Sequence, residues 1–167
     1  AHTGVGVSMS IAANRISYVL DFVGPSIAVD TACSSSMVAI HMACQSLRNR
    51  ECNLALAGGA NAILSPEMTL STSKASMLSP TGRCHSFDAR ADGYVRAEGS
   101  GIIVLKPLSA AIDCGDRIYA VIRGSAVTQD GRSNGLTVPK ASSQVAALRA
   151  ALAQADVESE QIRYVEA

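Results

Sequence analysis

Charge of one sign is what this 167-residue chain lacks most plainly. Fourteen lysines and arginines stand against fourteen aspartates and glutamates, so the net charge is zero, and no run of five like charges occurs. That balance argues against a nucleic acid or a membrane surface as partner. No apolar stretch approaches the ~20 residues needed to span a bilayer, and no signal-peptide pattern is visible. The five cysteines, at 33, 44, 52, 84 and 114, form no Cys-x-x-Cys pair, which speaks against a zinc site. No metal and no bound cofactor are expected. An odd, scattered set of thiols fits a reduced, cytoplasmic setting.

What is present is an ordinary globular balance, 48% apolar, with enough residues for one sizeable core. Ser8 to Phe22 reads as a helix with Met9, Ala12, Ile16, Val19 and Val23 on one face. Ser26 to Val29, introduced by Gly24-Pro25, reads as a short buried strand, and Leu54 to Ala57 as another, ending at Gly58-Gly59. Residues 60–90, richer in Ser, Thr, Pro and Gly, predict short helices joined by loops. Gly101 to Leu105 and Ile118 to Gly124 read as strands, with a turn at Asp113 to Asp116. Ser142-Ser143 are expected to cap a helix whose stripe is Val145, Leu148, Leu152 and Ala155, and Ile162 to Val165 to begin a last strand. Strands alternating with helices predict a layered α/β domain with a mostly parallel core. The opening Ala1-His2-Thr3-Gly4 and the apolar run at 162–167 predict a segment of a longer protein.

Cys33 stands where the Ser26–Val29 run gives way to a helix. Met37, Ile40, Cys44 and Leu47 recur at i, i+3, i+7 and i+10 after it, one helical stripe ending near Arg50. At such a junction, unpaired backbone N–H groups and the positive end of the helix dipole favour an anion. Those surroundings make thiolate available, and a sharp strand-to-helix turn lifts a nucleophile clear of its neighbours. The competing reading is a packed thiol, since free cysteine is among the most buried residue types.

The letters around Cys33 decide between the two. Asp30-Thr31-Ala32-Cys33-Ser34-Ser35-Ser36 resembles the active-site segment of β-ketoacyl synthases of the type I polyketide and fatty acid synthases. Four further segments agree in order and spacing: Asn14-Arg15-Ile16-Ser17-Tyr18, Leu54 to Gly59, Gly82-Arg83-Cys84 leading to Phe87 through Gly99, and Gly124 through Thr137. The resemblance covers essentially the whole chain. It implies the thiolase-like fold, two similar halves in α/β/α/β/α layers, of which residues 1–110 would be the N-terminal half and 111–167 the start of the C-terminal half. It implies decarboxylative condensation through an acyl-cysteine, with Cys33 as nucleophile and its own N–H as one oxyanion donor. Substrates would arrive on the phosphopantetheine of an acyl carrier protein domain, and the parent enzyme would be a homodimer. A His-Gly-Thr-Gly-Thr segment, a second histidine, a lysine and a glycine-rich loop are expected past Ala167.

Other residues carry weaker readings. Tyr94, in the Asp-Gly-aromatic segment, is either beside the acyl pocket, as the resemblance implies, or a core aromatic. Thr137 is either a contact for the phosphopantetheine arm, as the resemblance implies, or part of a surface turn. His41 lies eight residues past Cys33 on the same helix, about 12 Å away, beyond the ~3 Å reach of direct proton transfer. It is expected to be a packed helix histidine, and His2 and His85 to be non-catalytic. Asp88, Asp92 and Glu98 match no calcium loop and are expected to pair with Arg83, Arg90 and Arg96. Competing functions are a fatty acid synthase ketosynthase, a non-elongating homologue that keeps the cysteine, and a cysteine hydrolase. The last needs a histidine partner that Cys33 lacks in this pattern.

Overall fold

A computed structural model describes residues 3–166. Two short helices open the chain, α1 (Thr3–Val7) and α2 (Met9–Leu20). A single 3-10 turn, Ala32–Ser34, leads into α3 (Ser35–Arg48). Then follow strand β1 (Ala55–Asn61), α4 (Glu67–Lys74), strand β2 (Gly99–Leu105), α5 (Leu108–Asp113) and α6 (Ala141–Ala155), with a last 3-10 turn at Ser159–Gln161. Helices and a strand pair make a mixed α/β architecture. Among the described residues no helix is long and apolar enough to cross a membrane.

The helix ends follow local chemistry. Asp21 takes the left-handed conformation (φ 53°) after α2 and its N–H bonds back to the Ser17 carbonyl, while Pro25 bars continuation. Arg50 (φ 61°) closes α3, where Ser46 Oγ donates to Glu51 Oε2 at 2.6 Å. Asp156 (φ 51°) closes α6. The expected serine cap of α6 is replaced by Lys140, which makes no side-chain cap bond; Ser142 and Ser143 lie inside the first turn. After α5 the chain turns through Gly115, and Lys106 Nζ clasps Asp116 Oδ2 at 2.7 Å. That bond, with the Cys114 side chain beside it, raises the Lys106 amine above its ordinary value.

The chain divides into two compact units. The first holds residues up to 57 and from 104 onward; the second is Gly58–Ile103. In the second, the part of β1 from Gly58 on pairs with the part of β2 up to Ile103. Gly58 faces Gly101 and Asn61 donates to the Ala97 carbonyl. The partner number falls as the strand number rises, so this pair is antiparallel, where a mostly parallel core was expected. A Cβ on Gly58 would overlap the Gly101 carbonyl, so glycine is what lets these backbones approach. Glu98 Oε1 accepts from the Ile63 N–H and Arg96 donates to Thr69 Oγ1. Those two charges were expected to form ion pairs and instead serve the backbone and a hydroxyl. Asp88 and Arg90 do pair, at 2.7 Å, and the guanidinium bond, then the Arg90 N–H, hold the Asp88 carboxyl below its ordinary value.

Three expected strands, at 26–29, 118–124 and 162–165, carry no ladder. An apolar extended run becomes a strand only where a second backbone takes its N–H and C=O groups, and none does so here among the described residues. The apolar faces tell the same story. Met9, Val19 and Val23 of the expected α2 face are 75%, 72% and 97% exposed, and on α6 Leu148 is 64% exposed. Along α6 the half-buried residues are Ser143, Ala147, Ala151, Leu152 and Ala155, so Leu152 and Ala155 of the expected stripe pack while Val145 and Leu148 stay exposed. Only Cys44, Ala57 and Ala111 are buried hydrophobics among the described residues.

Candidate active site

The turn that presents Cys33 is built from bonds spanning four residues or fewer. Ala32 sits at φ 54°, a left-handed conformation that costs a residue with a Cβ about 1–2 kcal/mol. Three side chains hold it there. Asp30 Oδ1 accepts from the Ala32 N–H at 3.1 Å. Ser35 Oγ accepts from the Thr31 N–H at 2.9 Å and donates to the Ala32 carbonyl at 2.7 Å. Ser34 Oγ donates to the Thr31 carbonyl at 2.9 Å, with Thr31 Oγ1 equally near. Cys33 is exposed in the first turn, where the N–H groups of a helix have no partner within it. All five cysteines are free thiols.

The roles of Asp30, Ser34 and Ser35 went unread in the sequence beyond their place in a motif. The signal was available, since Asp and Ser at a turn bond the backbone one to four residues away.

Along α3 the side chains turn toward residues 123–129 of the same unit. His41 Nδ1 and Ser125 Oγ are 2.9 Å apart, partly buried, the donor being set by the ring tautomer. His41 is therefore occupied well away from Cys33, as a packed helix histidine. Arg48 donates to Gln154 Oε1 at 3.1 Å and to the Arg123 carbonyl at 3.4 Å. Beside the turn, Thr31, Ser34 and Val38 face Val127, Thr128 and Gln129 across an open cleft of about 610 Å³.

Thr137 is in the same unit as Cys33, exposed, in a loop held by Ser133 Oγ, which donates to the Gly135 and Val138 carbonyls at 2.7 and 2.8 Å. A second cleft, about 450 Å³, is lined by residues on both sides of it, among them Arg132 and Lys140, but not by Thr137 itself. Tyr94 belongs to the other unit. Its N–H bonds the Met77 carbonyl and its own carbonyl the Ser79 N–H, at 3.0 and 2.9 Å, and its residue is 39% exposed. Partly open to solvent, it is not a fully packed core aromatic. His85, also in that unit, enters through its carbonyl, which accepts from the Asp88 N–H. His2 lies outside the described residues. No group of three or more metal-ligating side chains gathers among the described residues.

A free, exposed thiol at a strained helix start on a mixed α/β frame is the arrangement found in the class of proteins that use a cysteine at a sharp turn into a helix. The particular family follows from comparison with known proteins. Residues 1–111 match the family described as Beta-ketoacyl synthase, N-terminal domain, and residues 119–167 match Beta-ketoacyl synthase, C-terminal domain. The chain belongs to the beta-ketoacyl synthases. It is 59% identical over 162 residues to one phenolphthiocerol/phthiocerol polyketide synthase polypeptide of Mycobacterium bovis, covering 97% of this chain and 9% of that one. It is 54% identical over 167 residues to another polypeptide of the phenolphthiocerol/phthiocerol polyketide synthase, from Mycobacterium tuberculosis, covering 100% and 11%. Among solved structures, the ketosynthase from module 6 of the bacillaene synthase of Bacillus subtilis superposes with a TM-score of 0.94 at 47% identity, covering 96% of this chain and 29% of that one. An oxazolomycin ketosynthase domain of Streptomyces albus gives 0.93 at 45%, covering 95% and 28%. The chain thus spans about a tenth of the curated relatives and under a third of the solved ketosynthases it matches. The resemblance read in the sequence, to ketosynthases of type I polyketide synthases, is borne out.

Proposed function

We propose that these residues supply the nucleophile of a ketosynthase that extends polyketide chains, acting within a longer thiolase-like domain. The Cys33 thiolate attacks the carbonyl of an acyl thioester carried on phosphopantetheine. The carbonyl oxygen gathers charge against the Cys33 N–H, the tetrahedral adduct collapses, and the carrier leaves as its thiol once protonated. A malonyl-type thioester then loses carbon dioxide, its carbanion attacks the acyl-cysteine carbonyl, and Cys33 departs as thiolate with a β-ketoacyl thioester formed. Tyr94 and Thr137 remain candidates for the acyl pocket and the carrier arm. A boundary between halves near residue 110, a homodimeric parent and a carrier-protein partner belong to the same proposal.

What carries this reading is the Cys33 turn, a strained Ala32 pinned by Asp30, Ser34 and Ser35 so that the thiol stands exposed at a helix start. In the full-length protein carrying these residues, Cys33→Ala is expected to lower acyl loading from an acyl-N-acetylcysteamine thioester by about 10³-fold or more, read by intact-protein mass spectrometry. Loading at the wild-type rate in that variant sinks the assignment. Wild-type protein that loads but never extends, when given a malonyl-type thioester, would instead be a non-elongating acyl carrier.

A further inference from the structure

We propose that His41 and Arg48 are positioning residues for Cys33, fixing where the nucleophile helix sits along its own axis; this rests on Cys33 being the acyl acceptor. Neither side chain reaches the thiol. His41 lies eight residues along α3, about 12 Å away, and Arg48 farther still, at its end. Both point to one strip of backbone. His41 meets Ser125 Oγ, and Arg48 meets the Arg123 carbonyl and Gln154 Oε1. Gln154 Oε1 also accepts from the Ser125 N–H at 2.8 Å. One amide oxygen of α6 thereby joins both contacts of α3 into a single network.

The strip is fastened on its other side as well. A Cβ on Gly124 would overlap the Ala151 carbonyl and Ala155 of α6, Arg123 donates to the Asp156 carbonyl at 3.1 Å, and Thr128 Oγ1 donates to the Ser143 carbonyl at 3.2 Å. Residues 123–129 are thus anchored to both ends of α6 and serve α3 as a fixed reference. Their length suits the task. Six steps of chain reach at most about 20 Å, and the fourteen helical steps from Ser34 to Arg48 rise about 21 Å. Arg48 meets the strip at 123, His41 at 125, and Ser34 and Val38 face it across the cleft at 127–129. A helix does not compress along its axis, so slippage at His41 reaches Cys33 undiminished. Thioester attack depends on placement to within about 1 Å.

The test is made in the full-length protein with His41→Leu, His41→Asn, Ser125→Ala and the His41→Leu/Ser125→Ala pair. Two rates are read at Cys33: acylation by an acyl-N-acetylcysteamine thioester, and alkylation by iodoacetamide. Alkylation needs a thiolate but no oxyanion donor. His41→Leu and Ser125→Ala are each expected to slow acylation about tenfold to a hundredfold and leave alkylation within about twofold of wild type. His41→Asn should retain acylation within about threefold, because its amide places a polar atom where Nδ1 stood. The double variant should lose no more than either single one, as members of one contact do. Should His41→Leu fold poorly, Ser125→Ala, which removes only a hydroxyl, carries the same comparison. Wild-type acylation in Ser125→Ala, additive losses in the pair, or a folded His41→Asn as impaired as His41→Leu would each overturn the proposal. Acylation of Cys33→Ala at the wild-type rate would remove the underlying reading instead, without any change at His41.

Discussion

Ala32 holds a conformation that most residues with a side chain avoid, and its neighbours explain why it stays. Two serines and an aspartate divide the work among single bonds, each worth about 1 kcal/mol. Ser35 contributes twice, accepting from Thr31 and donating to Ala32. Ser35→Ala is therefore expected to lower the stability of the full-length protein by about 1–2 kcal/mol, measured by urea unfolding, and to slow acylation of Cys33 at a denaturant concentration where the fold is intact. Unchanged stability would mean the turn is held by other contacts. At this scale the sequence was largely legible. The position of Cys33 at a helix start and the distance of His41 from it along α3 both followed from spacing. The partner of His41 did not, because Ser125 lies 84 residues away and nothing in a local pattern points that far.

Helices α2, α3 and α6 were legible in extent and only partly in facing, while α1 and α5 were not foreseen. The α3 stripe holds for Ile40, Cys44 and Leu47, but Met37 is 67% exposed. On α6 the apolar period picks out Val145, Leu148, Leu152 and Ala155; Leu152 and Ala155 are half-buried, Ala155 against Gly124, while Val145 and Leu148 stay exposed. Periodicity reports which side could be buried; only the neighbour's shape decides which side is. The backbone at Gly124 needs a small-residue face, and Ala151 and Ala155 provide one. Gly124→Ala is accordingly expected to destabilise by about 1–3 kcal/mol, read from the shift in thermal or urea midpoint. A neutral substitution would show that residues 123–125 and α6 can separate without loss. Strands were the least legible elements, since 26–29, 118–124 and 162–165 have suitable composition but no pairing backbone among the described residues.

The chain as a whole exposes 13294 Å², against about 7,800 Å² for a folded monomer of its mass. Apolar side chains make up much of the excess, Val23, Leu64 and Leu136 among the most open. The 167 residues alone are therefore expected to unfold over a broad temperature range and to bind 8-anilinonaphthalene-1-sulfonate strongly. A sharp, cooperative transition by calorimetry, with no dye bound, would contradict that expectation. The stripe residues that stay exposed, Met9, Val19, Val23 and Leu148 among them, do so for one reason: a stripe is buried by a facing surface, and these 167 residues supply few such surfaces.

The link between Arg48 and Gln154 crosses 106 residues. During synthesis at about 5–20 residues per second, Gln154 is added some 5–20 s after Arg48. The turn at Cys33 needs nothing beyond Ser35 and can close as soon as it leaves the ribosome. For those seconds the nascent protein carries a shaped but unanchored thiol, with its local geometry complete and its helix free to slide.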